Sequence, residues 1–444
     1  MSKVNVVTSR LRKLPSAAVW MLVAYICSFG FQGIYFLVLA RVLQASEYGT
    51  FAGALALVTV CMSFTGVGAG SVMVMRVARD SSRFKHQYGT AIVYILVSSV
   101  PLGAIAVGAG YASSTYFGQV VLILACSELI FTSLLDLGYQ VNQSQDKLRR
   151  TAIFMIATAG TRLAAILYFA EYFPEAQTAA SWALVYALVS VVMGISITGY
   201  CVYRYGLPKL SPTALASTWR VGIWFAIGIS SRTTYVDADK YFLTRYSPGQ
   251  DSTGAYAIAS RLTSFATVPV QAVVYSMNTA LFRAGQGGYA ASWRVVRRIS
   301  AIVIAYGVFA AVVVALIAPF IPEVLGDSFE DAGAAVTLLC AVPLFQGINY
   351  LFGDALMGVG QQRTRALLQG VSAAAAIGLN MVLVPGLGWV GAAVSTIAAT
   401  VLLSITIILC FVLGLRRERM QARARTVQSG NCRESSQPTS KQDT

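Results

Sequence analysis

The segment ISAIVIAYGVFAAVVVALIAPFIP, residues 299–322, contains no charged side chain. A helix needs about 20 predominantly apolar residues to cross a bilayer, so this segment is long enough to do so. Similar segments recur along the whole chain, at about 15–40, 49–75, 88–111, 117–141, 151–171, 177–203, 219–246, 254–283, 332–358, 366–385 and 388–414. The sequence therefore predicts an all-α polytopic membrane protein with about twelve transmembrane helices.

The composition excludes several classes of protein. Hydrophobic residues make up 56% of the 444 residues and charged residues 11%, whereas soluble domains carry about 25% charged residues. These values exclude a soluble enzyme, a disordered protein and a nucleic-acid-binding domain. The seven cysteines form no CxxC pair and His86 is the only histidine, which leaves no basis for a metal site or a Ser-His-Asp triad. We expect no catalytic residues, no metal and no cofactor.

The connections between the apolar segments differ in charge. Lys and Arg are concentrated in residues 76–87, 147–150, 204–220, 283–298, 363–365 and 416–444, whereas the alternate connections 112–116, 171–176, 323–331 and 386–389 have none. Short cytoplasmic loops of membrane proteins carry an excess of Lys and Arg. The sequence therefore predicts that both termini are cytoplasmic. The net charge of +15 is explained by this topology without an acidic macromolecular partner.

An internal similarity indicates two lobes. Residues 40–57, ARVLQASEYGTFAGALAL, resemble residues 244–262, TRYSPGQDSTGAYAIASRL. An even number of helices divides into halves of the same orientation, as in transporters built from parallel repeats. We predict a cytoplasmic N-terminal tail (1–14), an N-terminal six-helix lobe (15–205), a C-terminal six-helix lobe (206–414) and a disordered basic cytoplasmic tail (415–444).

Several basic side chains lie within the apolar segments, where a charge costs roughly 2.5–3.5 kcal/mol unless it faces a partner or a water-filled cavity. The segment WRVGIWFAIGISSRTTYVDADKYFLTRYS, residues 219–247, holds Arg232, Lys240 and Arg245 in addition to Arg220, which belongs to the basic connection 204–220. We predict a cationic cavity for phosphate or pyrophosphate, because guanidinium groups bind phosphate bidentately. The candidate substrate-binding residues are Arg41, Arg162, Arg232, Lys240, Arg245 and Arg261. Alternatively, Arg41, Lys240 and Arg245 lie at helix ends and extend to the membrane interface.

Fewer acidic side chains lie within these segments. Glu128, Asp136, Asp237 and Asp239 are candidates for ion coupling, because a buried carboxylate can couple transport to a proton or sodium gradient. The alternative is that Glu128 and Asp136 pair with a buried base such as Arg162. Asp237 and Lys240 are three residues apart and so can pair along one helix. In the same way, we expect Asp354 to pair with Arg363 or Arg365.

Five stretches resemble one family of transporters. They are GFQGIYFLVLARVLQASEYGTFAGALALVTV (30–60), GVGAGSVMVMRVARD (66–80), LGDSFEDAGAAVTLL (325–339), GVGQQRTRALLQG (358–370) and LNMVLVPGLGWVGAAVSTIAATV (379–401). Together they are similar to the polysaccharide biosynthesis flippases of Wzx type, in the multidrug/oligosaccharidyl-lipid/polysaccharide exporter superfamily. The resemblance covers about residues 30–410.

The resemblance implies a fold and a function. The fold is two six-helix lobes arranged in a V, which work by alternating access. The substrate is a polyprenyl-pyrophosphate-linked oligosaccharide repeat unit, moved from the inner to the outer leaflet of the bacterial inner membrane during O-antigen or exopolysaccharide synthesis. The implied partners are this lipid-linked oligosaccharide, bilayer lipids, and the polysaccharide polymerase and chain-length machinery.

Two other functions stay open on the sequence. One is a drug or metabolite antiporter of the same superfamily. Such exporters handle cations and favour acidic sites, whereas basic side chains outnumber acidic ones within the segments of this chain. The other is a scaffold that organises a polysaccharide assembly complex without transporting anything.

Overall fold

The computed structural model describes residues 16–145, 147–246, 250–326 and 329–434, which contain helices and no strand. The predicted N-terminal tail therefore lies outside the described residues. The α-helices are α1 (Ser16–Met62), α2 (Ala69–Arg79), α3 (Phe84–Tyr111), α4 (Thr115–Cys126), α5 (Ser133–Ser144), α6 (Leu148–Tyr172), α7 (Ala179–Tyr205), α8 (Pro212–Tyr246), α9 (Gln250–Ser276), α10 (Asn278–Gln286), α11 (Tyr289–Ile317), α12 (Ile321–Leu325), α13 (Glu330–Leu339), α14 (Val342–Gly358) and α15 (Gln362–Glu434). A π-helical turn, Ser127–Thr132, joins α4 to α5.

These helices account for the predicted number of membrane crossings. Nine helical segments among the described residues are long and apolar enough to span a bilayer. Two of them are 40 and 60 residues long and break at Gln44 (φ 58°) and Gly388 (φ 55°), so each crosses twice. The charged helix α8 adds another crossing that hydropathy alone does not detect. The prediction of about twelve transmembrane helices is confirmed.

The basic connections meet at one end of the bundle, here called the basic end. The Lys209 amide donates to the Lys85 carbonyl oxygen at 3.0 Å, which joins two of these connections. Arg76 donates to the Ser217 hydroxyl at 3.1 Å, and Gly285 lies against the backbone of Gly358. The basic end is the one that the sequence predicts to be cytoplasmic.

The buried apolar residues show how the two halves of the chain are joined. One cluster contains residues from both halves, among them Phe51, Trp182, Tyr256 and Phe329. The other two clusters each belong to one half. In the first half Met73, Tyr88 and Val141 pack together, and in the second half Val296, Leu351 and Phe411 do so. The lobes therefore share a core away from the basic end and have separate cores near it.

Close contacts join the lobes at the end opposite the basic end. Arg41 Nε donates to the Val324 carbonyl oxygen at 2.8 Å. A Cβ atom at Gly254 would lie 2.1 Å from the Ala45 carbonyl oxygen, so only glycine permits this backbone approach. The two segments that resemble each other in sequence, 40–57 and 244–262, thus lie against each other across the lobe interface.

The C-terminal tail differs from the prediction. Helix α15 continues through Glu434, so residues 415–434 are helical where the polar composition predicts disorder. Glu418 explains part of this order, because its carboxylate accepts hydrogen bonds from the backbone N–H groups of Tyr289 (2.5 Å) and Ala290 (3.2 Å) at the start of α11. These are N–H groups that a helix N-terminus leaves without a partner.

Candidate transport cavity

A cavity of about 1110 Å³ lies between α8, α9, α14 and α15, and Met75 of α2 also contributes to its wall. Its charged lining residues are Arg220, Arg232, Arg363, Arg365 and Asp237. Polar and aromatic side chains complete the lining, including Trp224, Gln271, Gln346, Tyr350 and Gln369. The cavity reaches the basic end, where Arg220 and Arg363 are exposed.

Arg232 lies on α8, twelve residues after Arg220. Its Nη2 atom donates to the Tyr350 hydroxyl at 2.7 Å, and its guanidinium group lies 5.0 Å from the centre of the same ring. The Tyr350 hydroxyl in turn donates to Gln346 Oε1 at 3.3 Å. This chain of contacts crosses from α8 to α14 and orients a guanidinium group in the cavity wall.

The entrance to the cavity carries the other arginines. The Arg363 guanidinium lies 5.9 Å from the centre of the Trp224 ring, and Trp224 is 51% exposed. Arg365 Nη1 forms an ion pair with Asp354 at 3.0 Å, as the sequence predicts for one of the two arginines. Arg220 and Arg363 are therefore the side chains at the entrance whose charge is most accessible to a ligand.

The acidic residue of the cavity is already paired. Asp237 Oδ1 accepts a hydrogen bond from Lys240 Nζ at 2.8 Å, which confirms the pairing predicted from their spacing. Lys240 also lies 3.7 Å from Asp239, a buried residue. Asp239 accepts hydrogen bonds from the Tyr256 hydroxyl at 2.5 Å and from the Thr396 hydroxyl at 2.9 Å. This cluster joins α8, α9 and the second segment of α15, and it leaves the cavity with an excess of positive charge.

Arg162 and Glu128 lie in the other lobe and pair there. Arg162 Nη2 is 3.8 Å from Glu128 Oε1, and the guanidinium lies 4.5 Å from the centre of the Tyr186 ring. Glu128 also accepts from the Thr132 and Ser190 hydroxyls, at 2.8 and 3.4 Å. For Glu128, this ion pair with Arg162 is the alternative to ion coupling that the sequence analysis considered.

The remaining predicted residues are dispersed. Arg41 bonds the backbone at the end opposite the basic end, Arg245 lies over Tyr246, and Arg261 lies over Phe265 at 5.8 Å. Asp136 lines a second, smaller cavity. Of the predicted site residues, Arg232 and Asp237 line the large cavity. The substrate-binding role of Arg41, Arg162, Lys240, Arg245 and Arg261 stays a prediction.

Sequence reasoning missed Arg220, Arg363 and Arg365 as site residues. They belong to connections whose positive charge is explained by topology, so their charge gave no reason to place them in a cavity. Uncharged polar side chains could have indicated the cavity. Three glutamines lie within predicted apolar segments, namely Gln271, Gln346 and Gln369. In the structure all three glutamines line the cavity.

The chemistry of the cavity suits an anion with hydroxyl groups. Four guanidinium groups offer bidentate donors, and the carboxylates nearest them are paired with Lys240 and Arg365. Glutamine amides and a tyrosine hydroxyl can donate to and accept from sugar hydroxyl groups. The half-exposed Trp224 ring adds a flat apolar face.

A family model described as "Polysaccharide biosynthesis protein" matches residues 16–282, more than half of the chain. The chain belongs to this polysaccharide biosynthesis protein family. It is a multi-pass membrane protein with a transporter fold, as the sequence resemblance implies. Among curated proteins, none matches the sequence significantly.

Solved structures share the fold of this polysaccharide biosynthesis protein. A multidrug resistance MATE family transporter of the MOP superfamily, in its inward-facing conformation, matches with a TM-score of 0.71 and 15% identity, covering 90% of this chain and 99% of that one. An outward-facing structure of such a transporter gives 0.63, 16% identity, and coverages of 92% and 96%. A MOP superfamily transporter from Pyrococcus furiosus gives 0.61, 16% identity, and coverages of 89% and 95%.

Proposed function

We propose that the protein moves oligosaccharides linked to a polyprenyl pyrophosphate from the inner to the outer leaflet of the bacterial cytoplasmic membrane, during synthesis of a surface polysaccharide. The protein performs no covalent chemistry. The observation that carries this proposal is the charge of the large cavity. Its wall holds four arginines and one carboxylate, Asp237, which is paired with Lys240, while one of the arginines, Arg365, is paired with Asp354. A basic cavity concentrates anions and repels cations.

The geometry suggests how the substrate enters. The cavity reaches the basic end, where Arg220 and Arg363 are exposed, while the lobes touch at the other end. The pyrophosphate binds first at the entrance and then reaches Arg232, and the sugars contact the glutamines and Trp224. The polyprenyl chain stays in the lipid between the lobes. Closing the basic end and opening the other end then exposes the cavity to the outer leaflet, which is alternating access.

The competing function is export of organic cations, as the MATE structures are named for multidrug resistance. The basic lining argues against it in this chain. The Pyrococcus furiosus transporter is described as having a binding pocket of reverse polarity that suggests a different function, so polarity varies within this fold.

Equilibrium binding to the purified full-length protein in nanodiscs tests the proposal. The probes are a short-chain polyprenyl pyrophosphate oligosaccharide, the neutral polyprenol glycoside with the same sugars, and an organic cation such as ethidium. We expect the pyrophosphate compound to bind most tightly, and Arg232→Gln to weaken it about tenfold or more, since a charged hydrogen bond contributes about 1.5–3 kcal/mol. Arg232→Lys should retain part of the affinity.

Two results would contradict the proposal. One is tight binding of ethidium with no binding of the pyrophosphate compound, which favours the antiporter. The other is equal affinity for the pyrophosphate compound and the neutral glycoside, which removes the role of the arginines.

A further inference from the structure

Six exposed arginines lie where the start of α11 meets α15 at the basic end. They are Arg294, Arg297 and Arg298 of α11 and Arg416, Arg417 and Arg419 of α15. None of them lines the large cavity or forms an ion pair within the described part of the chain. Residues 278–300 contain no acidic residue, and Glu418 is the only one in residues 405–421. The transport cavity therefore does not account for the charge of this surface.

Contacts inside the bundle hold these two helices together. The centre of the Phe411 ring lies 5.5 Å from that of Tyr289 and 6.3 Å from that of Trp293. The Glu418 carboxylate accepts hydrogen bonds from two backbone N–H groups at the start of α11, at 2.5 and 3.2 Å. The one carboxylate beside the arginines is thus engaged with the backbone, and the outer surface stays basic.

On α11, two of the arginines continue an uncovered apolar face. Arg294, Arg298 and Ile302 follow one another at intervals of four residues, so they lie on the same face of the helix. Ile302 is 55% exposed, and Phe309, seven residues further on, is 63% exposed. The opposite face is buried, with Val296 in the core of this lobe. Because α11 is long and apolar enough to span the membrane, its exposed apolar face contacts lipid, and Arg298 lies one turn before that face begins.

A second uncovered apolar stripe runs along α15. Its members, again at intervals of four residues and all exposed, are Ile405, Leu409 and Leu413. Arg417 follows at the next interval and is also exposed. Both stripes therefore end in arginines at the basic end. Such arginines extend to the depth of the lipid headgroups, beside apolar surface that acyl chains can cover.

The arginines of α11 need a counter-charge. Side chains three and four positions apart are neighbours on a helix, and like charges at this spacing repel each other. Arg294 is such a neighbour of both Arg297 and Arg298. A phosphate group that accepts hydrogen bonds from two guanidinium groups compensates this repulsion. The residue type suits phosphate as well, because residues 241–440 contain arginines and no lysine, and arginine binds phosphate bidentately.

We propose that this surface binds an anionic phospholipid of the leaflet at the basic end, with the phosphate at Arg294 and Arg298 and the acyl chains along the exposed stripes of α11 and α15. The general attraction of basic loops to a membrane requires charge alone. This site requires in addition that a pair of arginines on one helix face continues into an apolar stripe. The site lies outside the large cavity and does not rest on the proposed function.

Native mass spectrometry of the purified, delipidated full-length protein tests the site, with one lipid titrated at a time. The probes are anionic dioleoyl phosphatidylglycerol and zwitterionic dioleoyl phosphatidylcholine. We expect the first phosphatidylglycerol to bind more tightly than the first phosphatidylcholine. Arg294→Gln combined with Arg298→Gln should weaken phosphatidylglycerol binding about tenfold or more, because each basic side chain near an anionic headgroup contributes a factor of about five. Arg204→Gln combined with Lys209→Gln, which removes two exposed charges elsewhere at the basic end, should leave it unchanged.

Four results would overturn the site. The first two are equal affinity for the two lipids and wild-type affinity in the α11 variant. The third is an equal loss in the control variant, which means that total charge decides. The fourth is competition by glycerophosphoglycerol, the headgroup without acyl chains, as effective as that of the intact lipid, which means that the surface binds soluble phosphates. If the α11 double variant does not fold, Arg298→Gln alone and the comparison of the two lipids on the wild type decide.

Discussion

Arg220 and Arg363 lie at the cavity entrance with accessible charge, and the Arg363 guanidinium lies over the face of the Trp224 ring. In the proposed function these two side chains attract and bind the pyrophosphate. We predict that Arg220→Gln or Arg363→Gln weakens binding of a polyprenyl pyrophosphate oligosaccharide about tenfold, or about 1.4 kcal/mol. The measurement is equilibrium binding in nanodiscs. Arg204→Gln, an exposed arginine at the same end that does not line the cavity, is the matched control. Equal losses of affinity in all three variants would contradict the prediction, because they would show that binding depends on the total positive charge of this end and not on the cavity entrance.

Asp239 has a structural role, because Lys240, Tyr256 and Thr396 all depend on it for hydrogen bonds or charge balance. Removing one partner of a buried ion pair typically costs about 3–5 kcal/mol. We predict that Asp239→Ala markedly lowers the melting temperature in detergent. Asp80→Ala, which removes an exposed partner of Arg83, should have a much smaller effect. An unchanged melting temperature in Asp239→Ala would show that the cluster does not hold α8, α9 and α15 together.

At the residue scale, the sequence predicts pairs but not the cavity. The Asp237–Lys240 pair follows from helical spacing, and Asp354–Arg365 lies within eleven positions along the chain. Both are local relations. The cavity instead combines Arg220 with Arg363, from helices far apart in sequence, and only packing reveals that connection.

At the scale of elements, the transmembrane segments follow from apolar length alone, but their interruptions do not. Residues 49–75 read as one continuous apolar segment, yet the helix is interrupted between Met62 and Ala69. A tertiary contact accompanies this interruption. A Cβ atom at Gly222 of α8 would lie 2.2 Å from the Val67 carbonyl oxygen, so the two backbones touch where the helix is open.

This contact gives a prediction about one element. We predict that Gly222→Ala lowers the melting temperature, because the methyl group forces α8 away from the open segment. Gly228→Ala is the matched control on the same helix, since a Cβ atom there meets nothing within 4 Å. Alanine has a higher helix propensity than glycine, so Gly228→Ala should be neutral or slightly stabilising. A fall of the same size in both variants would contradict the account of the contact.

At the scale of the whole molecule, the twelve crossings and the two lobes are predicted from apolar segments, loop charge and the internal similarity. The helical order of residues 415–434 is not predictable from composition, because part of it depends on the contact of Glu418 with the start of α11. The arrangement of the cores is also a property of the fold. The shared core at one end and the separate cores at the basic end are the arrangement that the proposed alternating access requires.

The proposed function is that this molecule moves an anionic lipid-linked oligosaccharide across a bilayer. The most direct measurement is transfer of a labelled polyprenyl pyrophosphate oligosaccharide between the leaflets of proteoliposomes that contain the purified full-length protein. We predict transfer that depends on the protein and that is lost in Arg232→Gln. Transfer no faster than in protein-free liposomes, with the wild-type protein folded and several head groups tried, would contradict the account.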